Sequence, residues 1–98
     1  HKESYHQLVH SLPEKGKFLR IGDDYGQLDL LLTLTYPERE IVAVIADDEK
    51  RAVAEQSYIA KIRKIRYLSE RPEAETFDVE ISAKETEKII FTNKNTDI

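Results

Sequence analysis

The chain has no cysteine, no methionine and no tryptophan, and only three glycines and three prolines in 98 residues. Without cysteine there is no disulfide and no thiolate metal site, and the redox compartment stays open. Without methionine, position 1 included, the sequence is expected to be a piece of a longer protein. It has no run of about 18 apolar residues, the minimum for a spanning helix. No signal peptide is visible either. A run of basic residues strong enough for a nucleic-acid platform is also missing: the formal net charge is −4.

What is present is an ordinary charged surface, 35% of residues, around a modest apolar complement. The length fits one small domain over residues 1–98 with a limited core. Tyr5, Leu8, Val9 and Leu12 recur at helical spacing and predict a short amphipathic helix over 2–11. Pro13-Glu14-Lys15-Gly16 is a turn. Lys17–Ile21 is an apolar strand that ends in the turn Gly22-Asp23-Asp24-Tyr25-Gly26. A leucine-rich helix, about Gln27–Tyr36, follows and is apolar on most sides, which predicts burial; Tyr36-Pro37 stops it. Glu40–Ile45 is a second strand. A third helix is expected over Asp48–Ile62, with Ala52, Val53, Gln56, Ile59 and Ala60 on one face. Ile65–Leu68 is a third strand, Arg71–Thr76 a polar loop, Phe77–Ile81 a fourth strand and Ile89–Thr92 a fifth. The tail over 93–98 is polar and expected to fray.

Strand, glycine turn, helix, strand is the arrangement that places a helix N-terminus over a bound nucleotide. Phe18-Leu19-Arg20-Ile21-Gly22-Asp23-Asp24-Tyr25-Gly26 resembles the first strand and turn of class I S-adenosylmethionine-dependent methyltransferases. Gly22 and Gly26 match the outer glycines of that family's turn. Arg20 stands at its acidic position and Asp24 at its middle glycine. Ile41–Ile45 resembles the family's second strand, with Ile45 at the acid that would hold the ribose hydroxyls. The likeness covers roughly residues 1 to 82. It implies a three-layer Rossmann-like α/β sandwich, mostly parallel and truncated, with strand order 3-2-1-4 and the fifth strand beside the fourth. Between strands four and five lie only the seven residues Ser82–Lys88. A helical parallel crossover needs about a dozen. Strand five is therefore either an antiparallel hairpin partner or follows a tight irregular crossing.

The departures bear on chemistry. Asp24 puts a Cβ and a carboxylate where cofactor and backbone should approach closely. Ile45 removes a ribose acceptor, and an unpaired buried hydroxyl costs about 1–3 kcal/mol. Gly22, Asp24, Gly26 and Asp47 are the cofactor-binding candidates that the likeness implies, as vestiges; no catalytic residue and no metal ligand is assigned. Asp47 has a second reading as N-cap of the following helix. Asp23 and Asp24 form a carboxylate pair at the head of the sheet, suited to metal or acid–base work or to a solvated loop capping the Gln27 helix. Tyr25 would stack on a ligand ring or cover the core. His6 and His10, four apart, share a helix face, and His1 precedes them, yet no HExxH context or third ligand accompanies them. Lys61, Arg63, Lys64 and Arg66 either touch phosphates or an anionic membrane surface, or complement a helix C-terminus.

Two functions follow. The first is a non-catalytic methyltransferase-like accessory or interaction module without a cofactor. The run Ile41–Lys50 is similar to the segment that follows acyltransferase domains in some bacterial glycerolipid-type proteins, so its parent would be an acyltransferase. No HxxxxD motif occurs here: Ser11 lies five after His6 and Lys15 five after His10. The second is a domain that still binds S-adenosylmethionine or another nucleotide. Expected partners are the rest of the parent chain, another protein or a second copy at the fifth-strand edge, with no nucleic acid. The expected location is the cytoplasm, with membrane association through the parent protein as a further expectation.

Overall fold

The computed structural model describes the backbone of residues 2–85 and 88–93 and the side chains of residues 5–82. Its elements are α1 (Lys2–Ser11), β1 (Gly16–Gly22), α2 (Gln27–Thr35), β2 (Arg39–Val44), α3 (Asp48–Glu55), α4 (Tyr58–Ile62), β3 (Arg66–Leu68), β4 (Val79–Glu85) and β5 (Lys88–Asn93). One sheet runs in the order β3-β2-β1-β4-β5. The first four strands are parallel, and β5 is antiparallel to β4. The short connection after β4 thus makes the hairpin, because it is too short to carry a crossover helix. The tail residues 94–98 lie outside the described residues.

β1 and β2 are buried on both faces, which is why they read as apolar runs rather than as alternating ones. In register, Phe18 lies between Ile41 and Val79, and Arg20 between Ala43 and Ile81. On one face the apolar members pack with Val9 of α1, Leu12 just after it, Leu28 and Leu32 of α2, and Ala60 of α4. Right-handed crossovers place the helices of successive βαβ units on that same side. On the other face Leu19, Val42 and Val44 are covered by Phe77, with Ile21 and Leu68 alongside. The second outer layer of this three-layer α/β design is therefore thin: the irregular connection 69–78 supplies it. Phe77 is 4% exposed, and burying such a ring contributes about 1.5–3 kcal/mol.

Two polar devices fix the ends of the sheet. Asp78 Oδ2 accepts from the Lys17 N–H at 2.8 Å, and the Asp78 N–H donates to the Lys17 carbonyl at 2.8 Å. A Cβ at Gly16 would lie 2.9 Å from that carboxylate oxygen, and φ there is +125°, so glycine is required. At the start of β2, the buried Arg39 guanidinium donates to the carbonyls of Val9, Leu12, Pro13 and Leu32. It thereby satisfies carbonyls left open at the end of α1 and ties α1 and α2 to the sheet.

The long third helix is not continuous. Ser57 accepts from the Ala60 N–H and starts α4 as a new helix after α3 ends at Glu55. A serine hydroxyl competes well for backbone donors and favours caps over helix interiors. Ala52, Val53 and Gln56 are consequently exposed, and Ala54 and Ala60 make the buried contacts. α2 is also less buried than its leucine count predicts: Leu31 and Leu34 are 39% and 47% exposed, because nothing described packs over its outer side.

Candidate functional site at the carboxyl ends of the strands

β1 ends at Gly22, opposite Ala83 of β4, and the turn 23–26 leads directly into α2. Gly26 is the N-cap, in the left-handed region at φ 81°. A Cβ there would meet the Ala54 Cβ and Asp29 Oδ2, each at 3.2 Å. Gly26 is thus needed both for its φ and for close packing of α2 against α3.

Beneath this turn lies a buried ionic network. Arg20 Nε donates to Asp29 Oδ1 at 2.7 Å and Nη2 to Asp29 Oδ2 at 2.6 Å, a bidentate pair with both side chains fully excluded from water. Arg20 Nη1 donates to Asp24 Oδ2 at 2.7 Å. The other Asp24 oxygen accepts from the Gly26 N–H at 2.9 Å. Asp24 is a third exposed. Asp29 sits in the first turn of α2, where the helix dipole favours a carboxylate. Burial alone would push the Arg20 pKa down, but Asp29 and Asp24 outweigh it and hold the guanidinium charged, its pKa raised. Burial pushes the Asp29 carboxyl up, against the downward pull of Arg20.

Around the rim, Lys50 Nζ reaches Asp23 Oδ1 at 3.2 Å and lies 5.8 Å from the Tyr25 ring centroid. Its bond to Asp23 raises its pKa. Asp47 accepts from the Lys50 N–H at 2.9 Å and caps α3, realising one of its two sequence readings. Ile45 is completely buried; its N–H donates to the Leu68 carbonyl at 3.0 Å and its carbonyl accepts from Arg51 at 3.0 Å. The Tyr67 hydroxyl is buried with no hydrogen-bond partner among the described residues, and burial raises its pKa, with Asp29 adding to the effect.

The structure brings Gly22, Asp24 and Gly26 together, with Asp47 at the neighbouring strand end. It corrects several expectations. No aspartate side chain caps α2; Asp24 turns inward because the Arg20 charge demands a counter-ion. Tyr25 is 49% exposed and does not cover the core. Arg66 is not a free cation, since Glu75 binds it bidentately at 2.6 and 3.0 Å. His6 and His10 are exposed with ring centroids 4.5 Å apart. No group of three metal-ligating side chains occurs among the described residues, and His1 lies outside them. Sequence reasoning missed Asp29, although it is the single charge in the leucine-rich α2.

No family model matches the chain, and no curated protein is significantly similar to it. Solved structures do match. The plantazolicin methyltransferase BpumL in complex with SAH superposes with a TM-score of 0.60 at 20% identity, over 81% of this chain and 31% of that one. Coclaurine N-methyltransferase bound to N-methylheliamine and SAH gives a TM-score of 0.60 at 18% identity, over 78% and 26%. The chain thus has a truncated Rossmann-like α/β fold that matches part of the fold of these methyltransferases. The chain spans less than a third of the length of these enzymes. No helix among the described residues is long and apolar enough to cross a membrane.

Proposed function

We propose that this is a methyltransferase-like module that does not transfer methyl groups and serves as an accessory or interaction domain of a larger protein. The Arg20–Asp24–Asp29 network carries this reading. Asp24, held by Arg20, stands at the middle glycine of the resembled turn, where cofactor and backbone would approach closely. Asp24 already takes the Gly26 N–H that an incoming carboxylate would use, and its charge repels that carboxylate. The buried Ile45 has no oxygen to offer a ribose. These residues do not fit S-adenosylmethionine on the family's terms. After β4 the chain returns as a hairpin, with no helical crossover between the two strands. The likeness of Ile41–Lys50 to segments that follow acyltransferase domains supports an acyltransferase as parent.

The alternative, a domain that binds S-adenosylmethionine through altered contacts, draws on the preserved Gly22 and Gly26 and on the SAH-bound neighbours. Calorimetric titration with S-adenosylmethionine separates the two. The accessory reading expects a dissociation constant no tighter than about millimolar, since each 1.4 kcal/mol lost is about tenfold. A value below about 50 micromolar would favour the alternative.

A further inference from the structure

The outer surface of α4 combines features that the fold itself does not use. Tyr58 and Ile62, four apart on one helix face, are 76% and 53% exposed. Beside them Lys61, Arg63 and Lys64 are exposed, and among the described residues none of the three is in an ion pair. Lys61 and Lys64 also wall a cavity of about 300 Å³ floored by Ala60, Ile65 and Tyr67, with Glu55 on its rim. Lys64 holds φ 58° just beyond the helix, where its N–H donates to the Lys61 carbonyl and the next N–H to the Ala60 carbonyl. Glycine is the usual residue at such a position; here a cation occupies it at a conformational cost. Lys61, Arg63 and Lys64 thus lie together at the amino end of β3.

We infer that the α4 surface docks on an anionic lipid bilayer, with Lys61, Arg63 and Lys64 against phosphate-bearing headgroups and Tyr58 and Ile62 in the interfacial zone. Charge complementarity selects the anionic partner. The two exposed apolar side chains beside the cations select a bilayer over a nucleic acid, which offers them nothing apolar to enter, whereas a membrane interface favours aromatic and aliphatic groups beside basic ones. Each cation near an anionic leaflet strengthens partitioning by about fivefold. Three together give on the order of a hundredfold preference over neutral lipid. The inference does not depend on what the glycine turn binds.

Vesicle co-sedimentation of the 98-residue chain tests it. The chain should bind phosphatidylcholine vesicles containing about one-third phosphatidylserine, not phosphatidylcholine alone. Binding should vanish when salt rises from roughly 0.1 M to 0.5 M. The variant Lys61→Gln/Arg63→Gln/Lys64→Asn should lose on the order of a hundredfold in binding, with an unchanged circular dichroism spectrum; asparagine tolerates the left-handed backbone. The variant Tyr58→Ser/Ile62→Ser should bind severalfold more weakly while keeping the salt dependence. Wild-type chain that ignores phosphatidylserine, or either variant binding as well as wild type, overturns the inference. So does binding to single-stranded DNA that survives the Tyr58→Ser/Ile62→Ser change while vesicle binding is absent.

Discussion

Removing the Arg20 guanidinium should leave Asp29 as a buried charge without a partner. Both side chains are fully excluded from water, and two hydrogen bonds of 2.6–2.7 Å join them. Breaking a buried pair from one side costs about 3–5 kcal/mol. A domain of this size has roughly 5–15 kcal/mol in total, so Arg20→Leu should remove a large fraction of its stability. Arg20→Leu/Asp29→Leu removes both charges together and should fall within about 2 kcal/mol of wild type, because apolar replacement of a buried pair is often neutral or stabilising. Asp24 would lose a partner too, but it is a third exposed and can hydrate. The single variant should also respond to pH in a definite direction. With Arg20 gone, burial and the nearby Asp24 both raise the Asp29 pKa. Its folded-state pKa then lies above the unfolded value of about 3.9. The deficit should therefore be absent below about pH 4 and appear as pH rises through the folded-state value. Urea unfolding followed by circular dichroism at acidic and neutral pH reads both effects. A single variant within about 1 kcal/mol of wild type at neutral pH, or a loss independent of pH, would refute the buried pair.

Three other outcomes are expected. Restoring the methyltransferase contacts needs four changes, Arg20→Asp, Asp24→Gly, Asp29→Ala and Ile45→Asp, since Arg20→Asp alone sets two carboxylates together in the core; the set should gain about 1–3 kcal/mol in S-adenosylmethionine binding by calorimetry, without methyl transfer. Lys64→Gly should raise stability by about 0.5–1 kcal/mol in urea unfolding, because φ 58° suits glycine. Arg66 and Lys17 hold the Glu75 carboxyl well below its usual range, at about 2. Its contribution is present above the unfolded value of about 4.3 and is lost as pH falls through about 2. Stability profiles of wild type and Glu75→Gln should accordingly differ at neutral pH and converge in strong acid.

The parallel strands and their order were legible because β1 and β2 are unbroken apolar runs flanked by a glycine turn and a leucine-rich helix. The direction of β5 was legible only as a choice, settled by the short connection after β4. The break between α3 and α4 was missed because the apolar spacing continues across Gln56 and Ser57, while the local cap decides the backbone. Arg20 was legible as a departure from the resembled turn, but not as half of a pair. Reading it against Asp29 requires knowing that the first turn of α2 packs over the end of β1. The exposure of Leu31 and Leu34 was hidden for the opposite reason: leucines along a helix suggest burial, and only the lack of a covering element among the described residues reverses that.

A crystal structure of the wild-type chain grown with S-adenosylhomocysteine tests the central claim most directly. The account expects Arg20 bound bidentately to Asp29, Asp24 on the Gly26 N–H, and no cofactor density over the 22–26 turn. Ordered cofactor there, with Asp24 displaced from Arg20 and Gly26, would contradict it.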